Sequence, residues 1–302
     1  MNPSFTLCPL CGASKNKIES ILKKGQQLLV CLVCDLHFVH SNRVPDNNFY
    51  DQDYYRSWGM RDNKLPEHVF RLKEANMRRH LDEIKKFVSG GKILEVGSAM
   101  GSFLKVAQQD GFEVIGVELS SQACEVASSH VGRENVLNDT LENAALAPGS
   151  VDVLFMSDLI EHIPEPLPFL EKAVGLLKKG GLLYFVTPDP RHWSRLVFGK
   201  SWVHYKDEHL MFFSRRTFSW LAARFGCDFI DFSPTPKYTD LRYLLTQLEH
   251  FKYGFLSGFV AIFEKSLPVK ATEWLFPVFL GEARCILRKT TGQAPPTMIN
   301  RG

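Results

Sequence analysis

The chain has 302 residues, of which 45% are hydrophobic and 23% charged, with a formal net charge of +3. These values describe an ordinary globular protein with room for one large domain and a small one. The charge is spread along the chain rather than gathered in a block, so nothing demands a nucleic-acid partner.

The start, "MNPSFTLCPLCG", lacks the basic lead and apolar run of a secretory signal. No stretch of about 18 uncharged apolar residues occurs, so no membrane span is expected and the location expected is cytoplasmic. Four of the seven cysteines form two pairs, Cys8-x-x-Cys11 and Cys31-x-x-Cys34, nineteen residues apart. That spacing fits a zinc pattern in which four thiolates close a tetrahedron and leave no position for water. The alternative is a disulfide or redox pair. Residues 1–42 are therefore read as a zinc ribbon, with structural Zn²⁺ supplying folding energy that so short a segment lacks. Its core is expected to be separate from the rest.

Residues 43–90 form a linker and a helix. "NNFYDQDYYRSWGM" (Asn47–Met60) is polar and aromatic, and Tyr50, Tyr54 and Tyr55 are either a lid or packing aromatics. From Glu67 to Val88, Val69, Leu72, Met77, Leu81, Ile84 and Val88 keep helical spacing before "SGG".

From residue 91 to 302 short aliphatic runs alternate with helical segments. Strands are expected at Lys92–Val96, Phe112–Leu119, Asn135–Leu137, Val151–Met156, Leu182–Thr187, Cys227–Phe232 and Ala283–Arg288. Helices are expected at Ser102–Gln109, Ser121–His130, about Thr140–Leu146, and Pro166–Lys178. Alternation with near-continuously apolar strands implies a parallel sheet covered on both faces. A helical, apolar insertion at about 240–275 contains "DLRYLLTQLEHFKYGFLSGFVAIFEKSLP" (Asp240–Pro268). Arg242, Glu249, His250 and Lys252 rule it out as a span. It suits a core cover or homo-oligomer contact, or else a membrane-surface or lipid-substrate element.

The first strand of this alternation runs into a glycine-bearing turn, "KILEVGSAMGSF" (Lys92–Phe103). The spacing is not that of a dinucleotide loop, which needs a second glycine for close approach of a pyrophosphate. Ala99 stands there instead, between Gly97 and Gly101, and Glu95 would repel an anion. A carboxylate at this place suits a cationic ligand. S-adenosylmethionine has an ammonium, a sulfonium and no phosphate. A second acid, Glu118, ends the next strand, where it can accept both ribose hydroxyls.

With "ILEVGSAMG", "GVELS", "NDTLENAALAPGSVDVLFMSDLIEHIPEP" and "LLKKGGLLYFVTPD", the run Lys92–Asp189 resembles the class I S-adenosylmethionine-dependent methyltransferases, and particularly the ubiquinone-biosynthesis O-methyltransferase branch. The whole chain also resembles bacterial members that have an N-terminal zinc ribbon. The resemblance implies an α/β, Rossmann-like sheet of seven strands in order 3-2-1-4-5-7-6, strand 7 antiparallel. It also implies that Glu95 and Gly97 hold the methionine part, that Gly101 joins them in binding the cofactor, and that Glu118 holds the ribose. Asp139 would reach the adenine, and the Ser157 backbone would touch the cofactor. Ala99 departs from the glycine common there.

Methyl transfer to a hydroxyl needs alignment and a base, and histidine is the usual base at neutral pH. His162, after the fourth strand, and His209, in "HYKDEHLMFFS", are the candidates, each with a bracing role as the alternative. His204 and Tyr205 are weaker candidates for substrate contact. The expected function is methylation of a small molecule or glycan, chiefly at oxygen. The alternatives are an RNA or protein methyltransferase docked through the ribbon, and a non-enzymatic binding module.

Overall fold

The computed structural model describes residues 7–22, 25–40, 67–244 and 274–290. Three short strands come first, β1 (Asn16–Ile21), β2 (Gln27–Cys31) and β3 (His37–His40). Helix α1 (Glu67–Ile84) buries Val69, Leu72, Leu81 and Ile84 on one stripe. It stops short of Val88, whose N–H closes a last turn on the Ile84 carbonyl at 3.2 Å. The alternating region then gives β4 (Lys92–Val96), α2 (Ser102–Gln109), β5 (Glu113–Glu118), α3 (Ser121–Val131) and β6 (Val136–Asn138). It continues with β7 (Val151–Ser157), α4 (Pro166–Leu176) and β8 (Leu177–Pro188). The remainder gives α5 (Trp193–Phe198), β9 (Met211–Phe212), α6 (Arg215–Phe225), β10 (Cys227–Pro234), β11 (Lys237–Thr239), β12 (Phe276–Val278) and β13 (Glu282–Lys289).

Seven strands make one sheet in the order β10-β13-β8-β7-β4-β5-β6. Read from the β6 edge this is the expected 3-2-1-4-5-7-6. β13 runs antiparallel to both its neighbours, and the other pairings are parallel. Successive residues of β4 face opposite sides. Ile93 joins α1, α2 and α3 in one core with Phe103, Val114, Phe155 and Tyr184. Leu94 joins α4 and α6 in the other, with Leu154, Phe169, Phe185 and Phe218.

This second core differs from the expectation for the ribbon. Cys8, Leu10, Leu29, Cys31, Cys34, Leu36 and Phe38 belong to it, together with Met211 and Phe213. The N-terminal strands extend through β9 into a four-stranded antiparallel sheet, β1-β2-β3-β9. Too few apolar residues lie in the first 40 to form a core alone, so they pack on the sheet's covering layer instead.

Two further differences have local causes. The helix expected at Thr140–Leu146 is a single turn. The Asp139 Oδ1 accepts the Thr140 N–H at 2.7 Å and the Asn143 Nδ2 at 3.1 Å, tying that one turn to its own start, and Pro148-Gly149 follow it. β8 begins at Leu177, directly from α4. Leu177 pairs with Val151, then Lys178–Gly181 bulge out before Leu182 pairs with Val153. The Tyr50, Tyr54 and Tyr55 group and the insertion beyond Leu244 lie outside the described residues. Among the described residues, no helix is long and apolar enough to cross a membrane.

Candidate functional site

The carboxyl ends of the parallel strands β4, β5, β6 and β7 lie side by side at one edge of the sheet, the edge at which open α/β sheets bind ligands. Glu95, near the end of β4, is 5% exposed, and its Oε2 is buried without a hydrogen-bond partner. Burial, reinforced by nearby Glu118, pushes its carboxyl well above the usual range. An unpartnered buried carboxyl oxygen of this kind is a place for a cationic or hydrogen-donating ligand.

Glu118 at the end of β5 is 8% exposed. Its Oε2 accepts the Ala99 N–H at 2.8 Å and its Oε1 the Ser120 N–H at 2.9 Å. A carboxylate has about four acceptor positions, so each oxygen keeps one for a ribose hydroxyl. Burial raises its pKa, while the backbone N–H groups work the other way.

The turn between them is left-handed at three positions. Gly97 has φ +73° and lies beneath Leu159, and Ala99 has φ +46°. Alanine in that region costs roughly 1–2 kcal/mol. The Glu118 carboxylate, holding the Ala99 N–H, fixes the strained residue. Gly101 (φ +75°) faces the protein: a Cβ there would lie 2.9 Å from the Ala127 Cβ on α3. Its contact is therefore helix packing. Asp139 lies beside Glu118, its N–H bonded to the Glu118 carbonyl at 3.1 Å. Ser157 pairs with Val186 at the end of β7.

On the other side of β7 the chain turns through Asp158 (φ +51°) into a short 3₁₀ turn, Ile160–His162. His162 Nδ1 donates to the Glu208 carbonyl at 3.0 Å, which makes Nε2 the basic nitrogen. His209 packs edge-on against it with ring centroids 4.7 Å apart, and His204 lies 6.3 Å from His209. Burial lowers all three, His162 to about 4 and His204 to about 3. They are neutral at pH 7.

Sequence reasoning missed the acids beside them. Glu161 is fully buried, its Oε2 accepting the Thr187 hydroxyl at 2.9 Å and its Oε1 lacking a partner. Burial, then Asp158, pushes it up to about 8. Glu161, His162 and His209 bring one donor atom each within 4.8 Å of one another. Lys237 joins the same wall, 2.8 Å from Glu282 and 3.5 Å from Asp158. The "EH" dipeptide was the only sequence signal for Glu161. Tyr205 accepts a hydrogen bond from Arg195 Nε at 2.5 Å and packs edge-on against Trp202 and Phe212, a structural place.

The four N-terminal cysteines come together, Cys8 Sγ 3.6 Å from Cys34 Sγ and Cys11 Sγ 3.5 Å from Cys31 Sγ. All four are free thiols within 4.8 Å of one another. The edge of a tetrahedron with Zn–S bonds of about 2.3 Å is about 3.8 Å, so the set fits the ion. Hydrogen bonding with Cys11 holds the Cys31 thiol far down and pushes Cys8 and Cys34 up.

Comparison with known proteins bears on the family and the fold. A methyltransferase domain family (Methyltransf_23) matches residues 65–231, over half of the chain. The ubiquinone biosynthesis O-methyltransferase of Proteus mirabilis is 28% identical over 155 residues, 49% of this chain and 62% of that protein. That of Pectobacterium carotovorum is 29% identical over 121 residues, 38% of this chain and 51% of that protein. The chain thus spans only about half to three-fifths of the length of these relatives. Among solved structures, a methyltransferase-like protein of Bacillus halodurans superposes with a TM-score of 0.51 at 18% identity, covering 71% of this chain and 99% of its own. A SAM-dependent methyltransferase of Archaeoglobus fulgidus gives 0.50 at 17% identity, covering 81% and 100%. These show the shared fold. With the seven-stranded order and the family match together, the chain belongs to the methyltransferase domain family of class I, S-adenosylmethionine-dependent fold.

Proposed function

We propose that this protein transfers a methyl group from S-adenosylmethionine to an oxygen of a small molecule or glycan. The observation that carries the reading is the pair of buried carboxyl groups at adjacent strand ends, Glu95 with an unpartnered oxygen and Glu118 with acceptor capacity to spare. In this reading the ammonium of the cofactor meets Glu95 beside Gly97, and the ribose hydroxyls meet Glu118. Gly101 holds the turn against α3. Asp139 stands on the adenine side, and the Ser157 backbone closes the crevice. The methyl group then points past β7 towards Glu161, His162 and His209.

Alignment of acceptor and sulfonium supplies much of the acceleration. His162 is neutral at working pH, with Nε2 basic, and receives the acceptor's proton as the new C–O bond forms. His209 packs against it. A second reading is favoured by the donor set itself. One carboxylate and two imidazoles also suit a divalent cation, which would lower the acceptor's pKa in place of a protein base. The macromolecular alternative has less support, because the ribbon's acids Glu19 and Asp35 are used in bonds to Arg195 and Arg191 rather than displayed.

Calorimetry with S-adenosylhomocysteine, and separately with NAD, tests the cofactor half. Tight NAD binding or no response to S-adenosylhomocysteine refutes it. Comparing metabolites and glycans with and without the protein, for products heavier by one CH₂ group, tests the acceptor class. Repeating turnover with one Zn²⁺ per chain kept on the four cysteines, with and without added Mg²⁺, separates the two readings of the proton step.

A further inference from the structure

The cysteine cluster and the acceptor wall are connected by an unbroken set of contacts. Asp35, next to Cys34, has φ +61° and turns its carboxylate towards the transferase layer. Its Oδ2 accepts the Ser214 hydroxyl at 2.7 Å and its Oδ1 meets Arg191 at 2.7 Å. Ser214 caps α6 directly after β9. Leu36 and Phe38 are buried in the core that holds Met211 and Phe213. β3 pairs with β9, His37 opposite Phe212 and Phe38 opposite Met211. The Val39 N–H donates to the Leu210 carbonyl, and the Leu210 N–H donates to the Glu161 carbonyl, both at 2.9 Å. Leu210 is thus held between the ribbon and Glu161, and its neighbour His209 packs on His162. A second tie runs from Glu19, which bonds His37 at 2.6 Å and Arg195 at 2.9 Å, to Tyr205 through Arg195. Glu118 takes its hydrogen bonds from the Ala99 and Ser120 N–H groups of its own turn rather than from the ribbon.

We propose that the Cys8–Cys11–Cys31–Cys34 ribbon is a positioning element for the His209 loop, so that its metal state sets the order of the acceptor side and leaves cofactor affinity unchanged. The proposal rests on the transferase reading only for the name of that side. Asp35 and Val39 are the positioning residues. Metal bound by four thiolates fixes the Cys31–Cys34 knuckle, and the knuckle fixes β3. β9 is two residues long, too short to stand without that partner. Loss of metal by chelation would free β3 and release His209, while β4 and β5 keep the strand pairings that fix Glu95 and Glu118.

The test uses the full chain under reducing conditions, loaded with one Zn²⁺ and then stripped by a chelator. Hydrogen exchange at Val39 and Leu210–Phe213 is expected to accelerate at least tenfold on stripping, while exchange in Leu94–Ala107 stays the same. The imidazole ¹⁵N signals of His209 should shift, S-adenosylhomocysteine affinity should hold within twofold, and added Zn²⁺ should restore all of these. Because stripping could unfold the protein, Asp35→Gly provides the second measurement. Glycine is at ease in the left-handed backbone and removes the whole side chain, the carboxylate included. With one zinc still bound, this variant should show severalfold faster exchange over Leu210–Ser214. Unchanged exchange there in both samples overturns the proposal, as does loss of S-adenosylhomocysteine binding on stripping. Failure of the zinc-loaded protein to bind S-adenosylhomocysteine would count against the transferase reading alone, since the exchange result needs no cofactor.

Discussion

Replacing Glu118 with glutamine keeps the side chain's shape and removes its charge. The carboxylate accepts the Ala99 and Ser120 N–H groups on separate oxygens. An amide offers one carbonyl oxygen and one NH₂, so one of those two donors would face another donor. On the cofactor side, two ribose hydroxyls would lose charged acceptors. Taking a hydrogen bond to a charged group as worth about 1.5–3 kcal/mol, Glu118→Gln should weaken S-adenosylhomocysteine by about 10- to 150-fold. Without ligand, the orphaned donor should cost about 1–3 kcal/mol of stability, with the burden falling on the strained turn at Ala99. Calorimetry of binding and a denaturant melt of the ligand-free protein measure the two effects separately. Affinity within threefold of the parent, in a variant that folds, would refute the assignment of Glu118 to the ribose.

Ala99→Gly should stabilise the ligand-free protein by up to about 1 kcal/mol, since glycine removes the left-handed strain but adds chain entropy to the unfolded state; a lower melting midpoint would contradict this. His162→Ala should lower turnover on the order of 10²-fold with S-adenosylhomocysteine affinity unchanged, and an intact rate would move the role to His209 or to alignment alone. Burial holds His80, beside the Tyr184 hydroxyl at 3.0 Å, down to about 3. The folded pKa is depressed, so its effect on stability is absent above the unfolded value of about 6.5 and grows as pH falls towards 3, at up to about 1.4 kcal/mol per unit. His80→Phe should therefore flatten the loss of stability between pH 6.5 and 4, and parallel curves for the two proteins would refute it.

Much of the fold could be read from local pattern. β4 and α2 fall where apolar runs and the Gly97–Gly101 turn put them, because a βαβ unit is built from neighbours in sequence. The misread segments are those where one side chain or one bulge overrides periodicity. Asp139 turns the backbone that helix spacing would have continued, and Lys178–Gly181 bulge out of a strand that begins five residues early. The ribbon's spacing gave the cluster but not its attachment. Leu36 and Phe38 look like the core of a small domain until Met211 and Phe213 are seen beside them.

The two halves of the site differ in legibility for the same reason. Glu95, Gly97, Glu118 and Asp139 lie within one stretch of consecutive strands, so their convergence follows from strand order alone. The acceptor wall draws Asp158, Glu161 and His162 from one turn, His204 and His209 from a loop, and Lys237 and Glu282 from beyond it. Tertiary packing alone makes that set a set. Burial then gives it chemistry that composition does not report, since it pushes the Glu161 carboxyl up to about 8, beside histidines held neutral. If the proposed roles hold, a fold that fixes its cofactor through local sequence and its acceptor through long-range contacts can change substrate without disturbing the donor. In this chain those long-range contacts extend to residues 35–39, since Asp35 bonds Ser214 and β3 pairs with β9 beside His209.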